Sequence, residues 1–246
     1  MDNNMISKKS SDKKWDYEIL LFDADRTLLD FDKSEFMALK QVFQEYKIEF
    51  NDVRHCKYAK INQELWAQHE LGLISRDRLI YKRFEDFLEN ENIKIDSVEI
   101  EERYQFLLSE NAYIFDGVLE LIKDLSSKYD VYIVTNGVKD TQIKRLVATG
   151  IKKYVKDIFI SDVIGYQKPS KEYFDIVFNK ISNFQKNKAI IIGDSLTSDI
   201  KGGNNAGIDT CWYNPQRLPQ NVDVDVTFEI DSLEILREKL LDEKIM

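Results

Sequence analysis

Two aspartates, Asp23 and Asp25, stand two positions apart at the end of a short apolar run at residues 17–22. Such a run is typical of a strand that is buried on both faces of a parallel sheet. If the strand continues past Asp23, both carboxylates point to the same side. A pair of this kind can bind a metal ion or divide the work of an acid and a base. By itself the pair is as typical of a solvated turn.

Later segments add groups that suit a phosphate ligand. Thr135 and Asn136 follow apolar residues 131–134 and offer a hydroxyl and backbone N–H groups to phosphate oxygens. Lys168 precedes a helix that we predict to begin near Ser170, and it supplies a local positive charge. Taken alone, Lys168 would be an ordinary loop lysine, so its interpretation depends on the other segments.

Two further carboxylates follow the apolar run at residues 189–192. Asp194 stands at the end of that predicted strand, and Asp199 lies just inside the helix after it. An ionised carboxylate is not placed at the end of a buried strand without a partner. Asp199 alone would be typical of a first helical turn, where the helix dipole favours negative charge. Asp194 is therefore the stronger candidate for a metal ligand.

Alternating strands and helices must position these side chains. Apolar runs predict strands at residues 17–23, 131–134, 157–160, 189–192 and 210–213, and we expect residues 226–229 with a helix from about 232 to complete the core. Helical spacing lies between them, as at residues 118–125 and 174–181. This order predicts an α/β fold with a doubly wound, mostly parallel sheet. Ligands bind such sheets beyond the carboxyl ends of the strands, where the polar residues above converge.

A helical stretch from residue 32 to residue 111 breaks this alternation, with three apolar stripes of helical spacing and no predicted strand. Asp32 with Glu35 is a plausible N-terminal cap for its first helix. We interpret the stretch as an inserted cap domain. The predicted organisation is a flexible tail at 1–14, a core at 15–32 and 112–246, and a helical cap at 33–111.

Composition limits the classes of protein to which the chain can belong. It has 246 residues, a formal net charge of -9 and only two cysteines, Cys56 and Cys211. The acidic balance argues against broad nucleic-acid binding, which needs a basic face. Two cysteines are too few for a disulfide framework, and no apolar stretch has the length of a membrane span. We therefore expect a cytoplasmic globular protein with no nucleic-acid or membrane partner.

The four polar segments, in this order, resemble the motifs of the haloacid dehalogenase (HAD) superfamily, and the helical insert resembles its helical-cap type. The resemblance covers nearly the whole chain after the tail. Residues 22–28 with Phe31 and Asp32 are similar to the pyrimidine 5′-nucleotidase branch, as are residues 193–207 and 210–212. The last two segments discriminate less, because phosphatases of sugar phosphates share much of them.

The resemblance implies a Mg²⁺-dependent hydrolase of phosphate monoesters. Asp23 would attack phosphorus and form an aspartyl-phosphate, which splits one difficult step into two. Asp25 would protonate the leaving oxygen and then deprotonate the attacking water. Mg²⁺ would be held by the carboxylates of Asp23 and Asp194 and by the backbone carbonyl of Asp25.

The same resemblance assigns the phosphoryl oxygens to Thr135, Asn136 and Lys168, and it makes Asp199 the residue that orients Lys168 or a metal-bound water. Arg26 stands where the superfamily most often has glycine. An arginine fits there if its φ is negative, and we expect its side chain to lie in solvent.

Alternatives remain open at this stage. Within the superfamily, dehalogenases attack carbon without a metal, and phosphomutases return the phosphoryl group to a sugar. A non-catalytic binding module would have lost one of the four charged motif residues, and none is lost. We expect a nucleoside 5′-monophosphate, with UMP, dUMP and dTMP favoured, rather than a sugar phosphate or phosphoglycolate. Trp66, His69, Tyr81 and Tyr104 could stack on a base, although each is more often a packing residue and His69 a surface one.

Overall fold

The computed structural model describes residues 13–242, so the tail predicted at residues 1–14 lies almost wholly outside the described residues. Within that range the strands are β1 (Ile19–Phe22), β2 (Asp130–Thr135), β3 (Asp157–Ile160), β4 (Ala189–Gly193), β5 (Asp209–Tyr213) and β6 (Phe228–Ile230). The helices are α1 (Phe31–Glu45), α2 (Asp52–Glu70), α3 (Arg76–Asn90), α4 (Ser97–Glu110), α5 (Val118–Ser126), α6 (Lys139–Ala148), α7 (Ser161–Ile164), α8 (Lys171–Lys180), α9 (Lys201–Ala206) and α10 (Leu233–Arg237).

All strand pairs are parallel, and the sheet order is β3-β2-β1-β4-β5-β6. The predicted doubly wound sheet is therefore confirmed. Phe22 at the end of β1 is in register with Ile133 of β2 on one side and Ile192 of β4 on the other. The residues that follow these three strands consequently leave the sheet side by side, which is where the sequence placed the chemistry.

Helices cover both faces of the sheet. Leu20 and Phe22 of β1 belong to a buried cluster that includes residues of α5 and α10, whereas Ile19 and Leu21 pack with residues of α8 on the opposite face. Burial on both faces explains why β1 is a continuous apolar run instead of an alternating one.

Helices α1 to α4 form a helical block with an apolar cluster of its own, which is separate from both clusters of the sheet. Its interior also holds an ion pair between Arg83 and Glu101, at 2.6 Å with both side chains 2% exposed. The four helices span residues 31–110, and a cap domain at residues 33–111 stays a prediction. No helix among residues 13–242 has the length and apolar character needed to cross a membrane.

The N-terminal cap of α1 is not the one we predicted. The carboxylate of Asp30 accepts a hydrogen bond from the backbone N–H of Lys33 at 3.0 Å, so the helix begins one residue before Asp32. Asp32 lies in the first turn, and Glu35 is buried against Asn62 at 2.7 Å instead of closing a capping box. The first residue of α1 is therefore the apolar Phe31, which the pattern of polar residues did not indicate.

Candidate active site

Lys168 lies at the centre of a charged cluster beyond the ends of β1, β2 and β4. Its ammonium group donates to Asp23 Oδ1 at 2.6 Å, to Asp199 Oδ1 at 2.7 Å and to the backbone oxygen of Val134 at 2.8 Å. Lys168 is 1% exposed, so the protein itself accepts from all three of its N–H groups. Burial lowers the pKa of Lys168, but the charges of Asp199 and Asp23 outweigh burial and raise it above its ordinary value. The two neighbouring carboxylates therefore favour the charged form of Lys168.

Three carboxylates meet beside this lysine. Oxygens of Asp23, Asp194 and Asp199 lie within 4.8 Å of one another. Burial, followed by the charge of Asp199, raises the pKa of Asp194 to about 7, and burial also raises the pKa of Asp23 although Lys168 opposes it. The cluster is short of positive charge, and its oxygen donors suit a hard divalent cation.

Asp199 reaches Lys168 because Gly193 has no side chain. A Cβ atom at position 193 would overlap the carboxylate of Asp199. Asp199 lies in a single π-helical turn, Leu196–Ile200, and its second oxygen accepts from the backbone N–H of Ser195 at 3.1 Å. At the end of β4, Gly193 thus allows Asp199 to approach closely, and the next residue, Asp194, supplies a carboxylate.

Thr135 is the last residue of β2 and Asn136 follows it, and their side chains make different contacts. Thr135 Oγ1 accepts from Gly137 N at 3.1 Å and from Gln142 Nε2 at 2.9 Å, so its hydroxyl hydrogen can be donated to a ligand. The side-chain amide of Asn136 instead holds the backbone of Lys168. Asn136 Oδ1 accepts from the backbone N–H of Lys168 at 2.9 Å, and Asn136 Nδ2 donates to the backbone oxygen of Lys168 at 2.9 Å. Asn136 therefore fixes the position of Lys168, a contact that the sequence did not predict.

The carboxylate of Asp25 lies against two residues that sequence reasoning missed. Asp25 Oδ1 accepts from Arg145 Nη1 at 2.6 Å, and Asp25 Oδ2 accepts from Gln142 Nε2 at 2.7 Å. Both donors belong to α6, whose buried face they share at a spacing of three residues. Two polar residues at this spacing, in the helix that follows Thr135 and Asn136, were the available signal, because the buried face of a helix is usually apolar.

Arg26 corrects an assumption about the backbone. Its φ is +62°, in the left-handed region where glycine is favoured, whereas we argued from a negative φ. The side chain is 49% exposed, so it is half in solvent. Its Nε donates to Asp32 at 2.8 Å, and its guanidinium lies 5.0 Å from the centre of the Phe31 ring. These contacts accompany a backbone conformation that costs an arginine of order 1 kcal/mol.

The four candidates for stacking on a base differ in burial: Tyr104 and His69 are buried, and Trp66 and Tyr81 are half-buried. Tyr104 is fully buried in the block's own cluster. The expectation of a surface His69 is wrong, since His69 is 4% exposed and its Nδ1 lies 3.0 Å from the backbone oxygen of Ile74. Trp66 packs edge-on against His69 with ring centres 5.7 Å apart, and Tyr81 is half-buried.

The end of α2 rests on the loops that carry the charged cluster. Thr197 Oγ1 donates to Glu70 at 2.5 Å, and Gln167 Nε2 donates to the backbone oxygen of His69 at 3.0 Å. Burial raises the pKa of Glu70. These contacts place one end of the helical block next to Lys168 and Asp199.

The chain is similar to known proteins over most of its length. The chain is 44% identical to the HAD-hydrolase YfnB of Bacillus subtilis over 220 residues, which covers 89% of this chain and 94% of that protein. It is 38% identical to the pyrimidine 5′-nucleotidase PynA of Streptococcus pneumoniae over 231 residues, covering 94% and 97% of the two chains. It is 31% identical to the pyrimidine 5′-nucleotidase YjjG of Escherichia coli over 227 residues, covering 92% and 98%.

The crystal structure of YfnB, described as bound to magnesium and as revealing interdomain movement, superposes with a TM-score of 0.88 at 43% identity. It covers 93% of this chain and 100% of that chain. The sequence profile of the haloacid dehalogenase-like hydrolases matches residues 20–213, which include every residue of the charged cluster. The chain therefore belongs to the haloacid dehalogenase-like hydrolase family.

Proposed function

We propose that this hydrolase cleaves phosphate monoesters with Mg²⁺ and an aspartyl-phosphate intermediate on Asp23. The observation that carries the proposal is the contact between Lys168 and Asp23. Among the described residues, the only hydrogen bond to the Asp23 carboxylate comes from Lys168 and reaches Oδ1 alone. The second oxygen can then face a phosphorus atom, while Lys168 compensates the charge that collects there.

Proton transfer in the proposed reaction belongs to Asp25. As Asp23 bonds to phosphorus and the ester P–O bond breaks, the protonated carboxyl of Asp25 gives its proton to the leaving oxygen. The resulting carboxylate takes a proton from water as the water oxygen bonds to phosphorus and frees Asp23. The two steps return both aspartates to their starting states.

The charged cluster also supports the proposed metal. Mg²⁺ would be held by the carboxylates of Asp23 and Asp194 and by the backbone carbonyl of Asp25, because carboxylate and carbonyl oxygens are the ligands that Mg²⁺ prefers. When bound, the ion would draw charge from the transferring phosphoryl group. Asp199 accepts from Lys168 at 2.7 Å and so orients that lysine, the supporting role proposed for it.

Phosphoryl oxygens would be bound from β2 and from the loop before α8. Thr135 can donate through its hydroxyl and Asn136 through its backbone N–H. Lys168 would contribute the positive charge of its ammonium group, whose three N–H groups are engaged by the protein itself. Loose, highly charged transition states of phosphoryl transfer are stabilised mainly by such fixed donors.

The proposed substrate is a nucleoside 5′-monophosphate, with pyrimidines preferred. Support comes from PynA and YjjG, which carry the name pyrimidine 5′-nucleotidase and align over more than nine-tenths of this chain. The helical block would act as a cap at residues 33–111 that covers the leaving group and excludes water. Its contacts with Thr197 and Gln167, through Glu70 and His69, hold one end of the block beside the charged cluster.

Replacement of the nucleophile tests the reaction. We expect Asp23→Asn to lower Mg²⁺-dependent release of p-nitrophenolate from p-nitrophenyl phosphate by at least ~1,000-fold. Asp16→Asn, at the opposite end of β1 in an exposed pair with Lys188, is the matched control and should retain wild-type turnover. Wild-type turnover in Asp23→Asn would refute the assignment.

A panel of esters tests the substrate. UMP, dUMP and dTMP should be hydrolysed with higher kcat/KM than purine nucleotides, sugar phosphates and phosphoglycolate, and only when Mg²⁺ is present. A wide preference for sugar phosphates or phosphoglycolate would overturn the nucleotide proposal while leaving the role of Asp23 intact.

A further inference from the structure

The carboxylate of Asp25 is fixed by two donors that lie outside the four motifs. Arg145 Nη1 reaches Oδ1 at 2.6 Å and Gln142 Nε2 reaches Oδ2 at 2.7 Å, so each oxygen accepts one bond. Asp25 is 26% exposed and follows a strand end, so its side chain would otherwise turn freely about its bonds. Bonds to both oxygens fix the plane of the carboxylate.

The two donors are themselves held in place. Arg145 is 1% exposed; it donates to Gln142 Oε1 at 2.9 Å, and its guanidinium lies 5.6 Å from the centre of the Phe31 ring. Gln142 is also 1% exposed, and its Nε2 is shared between Asp25 and Thr135 Oγ1. The pair therefore forms a buried support behind Asp25 instead of a chance surface contact.

Gly137 makes room for this support. A Cβ atom at position 137 would lie 2.5 Å from Cγ of Gln142, closer than real contacts allow. The glycine after Thr135 and Asn136 therefore lets Gln142 approach the strand end. One α6 residue consequently contacts both the proposed proton carrier and a proposed phosphate ligand.

We propose that Arg145 and Gln142 are positioning residues that hold Asp25 in the orientation needed for both of its proton transfers. The inference rests on the proposed function, in which Asp25 is acid and then base. Each oxygen of Asp25 has lone pairs beyond the one engaged by α6, so a proton can be carried on the side that faces the ester. Arg145 and Gln142 exchange no proton themselves. General acid–base catalysis requires hydrogen-bond geometry to the reacting oxygen, and that geometry is what the two donors supply.

Two aryl esters of similar size separate a positioning role from a structural one. p-Nitrophenolate leaves readily without a proton, whereas phenolate from phenyl phosphate needs one far more. The constant kcat/KM reports only the steps up to loss of the phenol, so the later hydrolysis of the intermediate does not enter. Because both esters are measured on one preparation, the ratio of their kcat/KM values does not depend on the fraction of folded enzyme.

We expect Arg145→Met to lower kcat/KM for phenyl phosphate by ~10–100-fold and for p-nitrophenyl phosphate by less than ~3-fold. Gln142→Met should change the ratio in the same direction, and Arg145→Lys, which retains one donor, should restore part of it. Arg83→Met is the matched control, because it removes another buried arginine that pairs with a carboxylate but has no contact with Asp25. It should lower both values by one common factor.

A second measurement uses the Asp25→Asn background. If Arg145 acts through Asp25, the double variant should match Asp25→Asn within ~2-fold for phenyl phosphate, since interacting residues are not additive. An equal loss for both esters in Arg145→Met, a further large loss in the double variant, or a gain in activity would overturn the inference. Those results would leave Asp23→Asn inactive as before. A wild-type enzyme that hydrolyses neither ester would refute the proposed function and the inference with it.

Discussion

Lys168 is the shared partner of two buried carboxylates, Asp23 and Asp199, so its charge has a structural role as well as the proposed chemical one. Removing one member of a buried ion pair leaves the other charge without compensation. We expect Lys168→Met to lower the free energy of unfolding of the metal-free protein by about 3 kcal/mol. Urea unfolding would measure the loss.

Lys171 offers a matched control three residues away. It pairs with Asp175 at 2.6 Å, but both side chains are largely exposed. Lys171→Met should therefore change the free energy of unfolding by less than about 0.5 kcal/mol. If Lys168→Met lowered the free energy of unfolding no more than Lys171→Met, the charge of Lys168 would not stabilise the buried cluster.

The close approach at Gly193 gives a second prediction at this scale. Gly193→Ala forces the Asp199 carboxylate away from Lys168, so we expect turnover of p-nitrophenyl phosphate to fall by at least ~10-fold. Gly117→Ala has open space around the new methyl group but a φ of +77°, so it should lower stability and leave turnover unchanged. Steady-state kinetics and thermal unfolding separate the two effects. Unaltered turnover in Gly193→Ala would contradict the contact.

Residue types and spacing predicted which polar side chains the strand ends would bring together. Asp23, Lys168, Asp194 and Asp199 do meet, and their chemical roles stay proposals. The supports of Asp25 were not predictable in the same way, because they lie on a helix and their partner lies more than 100 residues away in the chain. The positive φ of Arg26 was not predictable either, since arginine is not a residue type that indicates a left-handed backbone.

At the scale of elements, the apolar runs located five of the six described strands to within about two residues, because strands buried on both faces need continuous apolar sequence. The short strand β6 was not predicted as a strand, since the residues around it mix polar and apolar side chains. The helical block was predicted for the same kind of reason, from stripes of helical spacing. The predicted start of α1 was wrong because Asp30 and Asp32 are both residue types that favour the N-cap position. Only the backbone conformation decides which N–H group lies within reach of a carboxylate.

The cap of α1 can be tested directly. Asp30→Ala removes the acceptor for the backbone N–H of Lys33, and loss of such a cap costs about 1 kcal/mol. Asp32→Ala removes only an exposed pair with Arg26 and a charge in the first turn, so its cost should be smaller. Chemical denaturation of both variants checks the order. A larger loss from Asp32→Ala would favour the cap that the sequence suggested.

At the scale of the whole molecule, the charged cluster links metal binding to stability. A carboxyl group whose pKa is higher in the folded chain destabilises the fold as it ionises, because the folded state then binds more protons than the unfolded state. The pKa of Asp194 is raised from 3.8 to about 7, so its contribution to stability is lost as pH rises between those values. Mg²⁺ would bind the ionised carboxylates and offset the loss.

We therefore expect Mg²⁺ to raise Tm more at about pH 8 than at about pH 6, where protons compete for the same oxygens. Calorimetry with Mg²⁺ and with a chelator gives the two differences. Asp194→Asn should remove most of the Mg²⁺ effect at the higher pH. A rise of equal size at both pH values, or no rise at either, would contradict the proposed metal site.

The most direct test of the proposed mechanism is to trap the phosphorylated enzyme. Asp25→Asn lacks the base for hydrolysis of the intermediate, so mixing it with p-nitrophenyl phosphate and Mg²⁺ should give a burst of about one p-nitrophenolate per chain. Mass spectrometry after acid quenching should then find one phosphoryl group, located on Asp23 and absent when Asp23 is also replaced by Asn. The proposed mechanism would be contradicted if the wild-type enzyme turned over but the Asp25→Asn variant carried no phosphoryl group, or carried it on a residue other than Asp23.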